Sequence, residues 1–189
     1  MKYIKLFFIA LLFTSFIACD SEVTHTEEDK TTDTDNTKKD NSTTVNKDNS
    51  NDKVNLPKSL GYVNDFEGLF NEEEVKMYTD IITAYEAKTG NEIGIVSTDN
   101  YNPYPTIAEY GKELINFWGV GKKDKNNGLL IIVSKKRQEV RIAMGLGTEK
   151  VFSSEESQEV VDNVMIPHLS NGDFAEAVYD GLEAIIKAW

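Results

Sequence analysis

The stretch that decides the fold is "GLLIIVSKKRQEVRIAMG", residues 128–145. Its first seven residues, Gly128 to Ser134, suit a strand covered on both faces, because no position alternates toward water. Lys135-Lys136-Arg137-Gln138 then turns the chain, and the cluster reads as a solvated hairpin tip. From Glu139 to Gly145 polar and apolar residues alternate, with Val140, Ile142 and Met144 on one face. That pattern predicts a half-exposed strand returning antiparallel. Pairing Ser134 with Glu139 sets the register and brings Asn126 opposite Gly147.

Helical patterns surround this hairpin. Asn71 followed by Glu72, Glu73 and Glu74 opens a helix with acids at the positive end of its dipole. Val75, Tyr78, Ile82 and Tyr85 recur at helical spacing, and Gly90 closes the segment as a left-handed cap. "EIGIVST" (92–98) reads as a strand. Ile107, Tyr110, Leu114, Ile115 and Trp118 mark a second helix, closed by Gly119 and Gly121. Ser153 with Glu156 forms a capping box for a third, and Asp173 with Glu176 opens a fourth. The order is helix, strand, helix, strand, strand, helix, helix, with the middle strand–helix–strand expected to be a right-handed crossover. These elements predict an α/β fold, a three-layer α/β/α sandwich around a small mixed sheet.

The first residues are of another kind. Lys2 and Lys5 precede an apolar run from Leu6 to Ile17, shorter than the ~20 residues a spanning helix needs. This is the pattern of a secretory signal. It ends in Phe16-Ile17-Ala18-Cys19, which resembles a bacterial lipobox with Phe in place of the usual Leu. Cys19 is the only cysteine of the 189 residues, so no intramolecular disulfide forms. The reading is cleavage before Cys19 and lipidation there. Residues 20–52 hold ten acids and four bases and almost no large apolar side chain. Residues 20–58 therefore read as a disordered acidic and polar tether, and 59–189 as the folded domain. The expected location is the cell envelope, facing the periplasm or the cell surface.

Residues 53–189 carry 22 acids against 14 bases. Nucleic acid is excluded as a partner, since phosphate binding needs clustered Lys and Arg. Most catalytic constellations are missing as well. Of the two histidines, His25 falls in the tether and His168 at a helix end, which leaves no Cys/His zinc set and no Ser-His-Asp set. No phosphate loop or dinucleotide fingerprint is present. Oxygen ligands remain. Asp124, Asn126 and Glu149 lie on loops that the hairpin register brings to one end of the sheet. They make either two ordinary polar loops or a site for a hard cation. Asp65, in "GYVNDFEGLF" (61–70), poses the same choice between turn chemistry and a cation ligand.

Gly61-x-Val63-Asn64-Asp65, Trp118-Gly119-x-Gly121, Asn127-Gly128-x-Leu130, Arg141-Ile142, Gly145-x-Gly147-x-Glu149 and Gly172-Asp173-Phe174 resemble, in order and spacing, the TPM domain. That family is named for a thylakoid lumen protein, a photosystem II repair protein and a modulator of a nematode receptor. The resemblance covers residues ~59–189. It implies an α/β/α sandwich on the outer side of a membrane that binds Ca²⁺ or Mg²⁺ through an acidic cluster. The family's acidic positions fall on Asp65 and Glu149. Where the family usually has Asp before Asn-Gly this chain has Asn126, which removes one charge and implies either a weaker site or a ligand moved to Asp124. The implied function is a lipid-anchored accessory domain with a divalent cation, an envelope protein partner and a membrane contact through its N-terminal lipid. The alternatives are a metal-dependent acid phosphatase, with Asp65 as nucleophile or base and Arg141 on the phosphate, and a metal-free interaction domain.

Overall fold

A computed structural model describes residues 56–189, within one compact unit spanning 50–189. The signal, the Cys19 lipidation site and the tether up to residue 55 lie outside the described residues. The elements run β1 (Val63–Asp65), α1 (Glu72–Thr89), β2 (Glu92–Ser97), α2 (Ile107–Trp118), β3 (Gly128–Ser134) and β4 (Glu139–Met144). Then follow α3 (Ser154–Val160), a π turn (Val161–Met165), α4 (Ile166–Asn171) and α5 (Phe174–Ala188). The sheet order is β1-β2-β3-β4, with β1, β2 and β3 parallel and β4 antiparallel to β3.

All seven residues of β3 are buried. Leu129, Ile131 and Val133 face one core, shared with Tyr78 and Ile82 of α1, Met165, and Val178 and Leu182 of α5. Leu130 and Ile132 face the other, made by Tyr110, Leu114 and Ile115 of α2. The architecture is the three-layer α/β/α sandwich expected from the sequence. Ser134 pairs with Glu139, the expected hairpin register. The caps of α1 also form as expected. Asn71 and Glu74 make a capping box, and Gly90 is left-handed with φ 75°. Ser153 and Glu156 cap α3 in the same way. Asp173 does not act as expected, since its side chain makes no capping bond to α5.

Two features were missed. The element order expected from the sequence omits β1. The sheet also steps in one direction from β1 to β2 to β3, yet α1 covers one face and α2 the other. The two crossovers therefore have opposite hands, and one of them is left-handed against the usual rule. Ahead of Pro167 the last helical stretch widens, with the Ile166 N–H reaching the Val161 carbonyl. Gly181 of α5 lies against Met165 there, so close that a Cβ would press on the thioether.

The chain enters this fold earlier than expected. Leu56 packs on the α2 core, and the Trp118 indole N–H donates to the Pro57 carbonyl at 2.7 Å. Asn64, fully buried, then pins the approach to β1. Its Oδ1 accepts from Leu60 N–H at 2.6 Å, and its Nδ2 donates to the carbonyls of Gly61 (2.9 Å) and Ile95 (3.3 Å). Replacing Asn64 with Ala strands these backbone groups out of water. The expected cost is about 2–3 kcal/mol in a urea melt of residues 50–189. A loss below about 0.5 kcal/mol contradicts this role of Asn64.

Candidate functional site

The four cation-ligand candidates fall at opposite ends of the sheet. Asp65 pairs with Ser97, and Ser97 with Val133, at the C-terminal ends of the parallel strands. Asn126 precedes β3, and Gly128 pairs with Glu92 at the other end. The two levels are five residue steps apart along β3, about 16 Å at ~3.3 Å each. The single site of Asp65, Asp124, Asn126 and Glu149 is therefore not formed. Its loop half was placed correctly, since the Gly147 N–H donates to the Asn126 carbonyl at 3.0 Å. Its other half failed because parallel pairing sends the end of β1 toward the end of β3, not toward its start.

At its own end Asp65 organises backbone. Oδ2 accepts from Phe70 N–H at 2.8 Å, and Oδ1 from Leu69 N–H at 3.0 Å and from the Ser97 hydroxyl. These bonds curl residues 66–70 into α1 and seat Phe70 edge-on against Tyr78, centroids 5.3 Å apart. Glu67 is used in the same way. Its carboxylate accepts from the backbone N–H groups of Lys135 (2.9 Å) and Lys136 (3.1 Å), tying this loop to the β3–β4 turn. Beside them lies an open cleft of about 480 Å³ lined by Leu69, Lys135 and Gly172 to Glu176. Burial, with the carboxylates of Glu74, Glu176 and Asp65 adding to it, pushes the Tyr78 phenol well above its ordinary range. That phenol donates to the Ala175 carbonyl.

At the other end three backbone segments touch. A Cβ on Gly121 would overlap Gly128 N, and one on Gly128 would overlap the Val120 carbonyl. A Cβ on Gly145 would strike the Asn126 carbonyl oxygen, and one on Gly147 the Lys125 carbonyl oxygen. The glycine motifs thus serve close packing of loops. Asn127, buried, is the hub of this joint. It accepts from Lys122 N–H (3.0 Å) and donates to Gly90 O and Asn91 Oδ1 (both 2.9 Å). The Glu92 carboxylate accepts from Gly121 N–H at 2.8 Å. The sequence reading missed Glu67, Ser97, Asn127 and Glu92. No spacing pattern marks a side chain whose partners lie about thirty or more residues away.

The residues left at this end suit a hard cation poorly. The Asn126 carbonyl already accepts from Gly147 and Thr148 N–H. Asp124 and Glu149 are exposed and share their loops with Lys122, Lys123, Lys125 and Lys150. Among the described residues no group of three or more Asp, Glu, His or Cys could hold a metal. A Ca²⁺ site draws six to eight oxygens, several of them charged. Two carboxylates among lysines do not supply that set. The phosphatase arrangement fares no better. Arg141 lies midway along β4, opposite Ile132, three strands from Asp65 and about 14 Å across the sheet. His168 pairs with Asp180 at 2.9 Å between the last helices.

Two outcomes check these assignments. Asp65→Asn leaves an amide N–H₂ facing backbone N–H donors, so it should destabilise residues 50–189 by about 1–2 kcal/mol, with or without Ca²⁺. A gain in metal-free stability would show instead that Asp65 suffers repulsion from nearby anions. Gly147→Ala forces the β4–α3 loop off residue 125. It should cost about 2–4 kcal/mol in the same urea melts, far more than the same change at open Gly68.

The TPM domain model matches residues 63–188. No curated protein matches. The N-terminal domain of a protein from P. gingivalis, solved by NMR, superposes with a TM-score of 0.62 at 25% identity, covering 67% of this chain and 80% of that one. The BA42 protein of the psychrophilic bacterium Bizionia argentinensis gives 0.56 at 21% identity, over 65% and 83%. The N-terminal domain of the cg2496 protein from Corynebacterium glutamicum gives 0.54 at 14% identity, over 70% and 83%, a likeness of fold alone. With its sheet, its glycine joint and the match from β1 to the end of α5, the chain belongs to the TPM domain family.

Proposed function

We propose that this TPM domain is a non-catalytic interaction module of the cell envelope, held at a membrane by lipid on Cys19. The observation that supports this most is how the acids are spent. Asp65, Glu67 and Glu92 accept backbone N–H groups and so fix loops. A nucleophile or general base must instead stand free within reach of a substrate. The protein partner is an unidentified component of the same envelope. Ca²⁺ or Mg²⁺ enters this reading only as a weak ligand of Asp124 and Glu149, and the domain's action does not pass through it.

The test of the non-catalytic reading is turnover. Residues 50–189 with an aryl phosphate and Mg²⁺ or Ca²⁺ should hydrolyse no faster than buffer with the metal alone. Turnover that disappears in Asp65→Ala would replace this reading with the phosphatase. In an amide NMR titration, Ca²⁺ should move at most residues 124–126 and 148–150 and leave Asp65, Leu69 and Phe70 in place. For the anchor, the full chain expressed in bacteria should take up a labelled fatty acid and partition into detergent. Cys19→Ser should abolish both, and unchanged labelling of that variant would refute lipidation at Cys19.

A further inference from the structure

We infer that the groove between α2 and β4 is where the domain receives its partner, as an extended peptide segment whose one carboxylate is taken by Arg141. This deepens the interaction reading and rests on it. Gly111 brings α2 down onto the sheet, since a Cβ there would overlap Ile132 Cδ1 and press on Ala143. Beside that contact runs an open groove of about 660 Å³. Arg141 lines it, on the same face of β4 as Ala143. Arg141 is half-buried, and among the described residues its guanidinium makes no hydrogen bond and no ion pair. A planar fork of N–H donors, partly shielded from water and without an acceptor, suits a carboxylate, which it takes through two parallel bonds.

The charges around Arg141 narrow the ligand. Lys112 and Glu109 line the groove from α2, and Glu149 lines it from the loop after β4; all three are exposed. Since α2 returns the chain from the end of β2 to the start of β3, it runs alongside β4 in the same direction. The order along the groove is therefore Glu109, then Lys112 with Arg141, then Glu149. Other acids are engaged or turned away. Glu139 accepts from the Tyr101 hydroxyl at 2.7 Å, and Glu113 is not among the lining residues. Glu155, Glu156 and Asp162 belong to the helical layer on the other side of the sheet. The groove is thus no basic surface but a cationic centre with an acid at each end. Arg141 governs that centre, because a partly buried charge is screened less than exposed ones. Such a pattern repels a polyanion or a phosphate dianion. It accepts one carboxylate flanked by main-chain N–H groups, which the two end carboxylates can bind.

The length of the groove points to a peptide. From Arg141 to Gly145 is about 13 Å along β4, the span of roughly four extended residues and far more than a small anion fills. Between the charges the floor is apolar, made by Ile115, Val120 and Ala143, and an apolar side chain next to the acid covers it. The Asn126 side chain, at the far end, makes no hydrogen bond among the described residues and is left for a peptide group.

Residues 50–189 hold the whole sheet and both cores, and serve as the bait for a phage-displayed library of random peptides. The expected peptides share one Asp or Glu beside an apolar residue. Made synthetically, they should shift the amides of Lys112, Arg141 and Ala143 in NMR spectra and bind more weakly as salt rises. Arg141→Gln should weaken binding about tenfold or more. Lys76→Glu, on α1 in the opposite layer, should leave it within about twofold. With Lys in place of its acid, a selected peptide should bind the Arg141→Glu domain better than the parent. If that variant does not fold, Lys112→Glu, at an exposed helix position, makes the same reversal and should lower binding of the acidic peptide several-fold. Inorganic phosphate should displace the peptide no better than sodium chloride of equal ionic strength. An empty selection, peptides without an acid, binding that Arg141→Gln leaves intact, or specific displacement by phosphate overturns the inference. None of these touches the non-catalytic reading, which stands or falls on turnover of the aryl phosphate.

Discussion

Everything in this domain is arranged around a strand that touches no water. From Gly128 to Ser134 each residue is buried, and a strand with two apolar faces cannot stop at two layers. It requires helices above and below, a neighbour on each edge, and loops compact enough to close over its ends. The first requirement is met by α1 and α5 on one side and α2 on the other. The second is met by β2 and β4. With both crossovers of the usual hand, α1 and α2 would share a face and the helices after β4 alone would have to cover the other. The left-handed connection is the topological cost of covering both.

The third requirement explains where the polar residues go. Closing loops over a dry strand buries backbone N–H groups, which need acceptors when water is excluded. Asp65, Glu67, Glu92 and Asn127 supply them. Carboxylates in short motifs invite a reading as ligands or catalysts. Here the geometry of their partners decides the matter, because a carboxylate that already accepts two or three hydrogen bonds has little left for a cation or a proton transfer.

How much of this was legible follows from range. The β3–β4 hairpin is local, so a four-residue turn fixed its register, and with it the meeting of Asn126 and Gly147. Helix starts were legible for the same reason, since Asn71 and Ser153 find their partners three residues away. Asp173 shows the limit, because a suitable residue at a suitable place made no cap. The strand β1 was not legible. It has three residues, its partner lies beyond α1, and alternation cannot be read over so short a run. Missing its direction moved Asp65 to the wrong end of the sheet, and the supposed cation cluster with it. The glycine motifs were recognised for their order, but their reason, backbone pressed on backbone, depends on contacts no spacing records.

That glycine joint separates frame from lettering. Gly121, Gly128, Gly145 and Gly147, with the side chains of Asn127 and Glu92, hold the loop backbones in place without help from the side chains at 122–125. Substitutions at positions 122–125, 146 or 149–151 therefore change what the surface presents while leaving the loop's path alone. A lineage carrying this joint can trade lysine for aspartate, or leucine for a polar residue, one position at a time and without refolding. The end of the sheet behaves as a socket with an exchangeable face, and domains of this build can share a skeleton while meeting quite different surfaces.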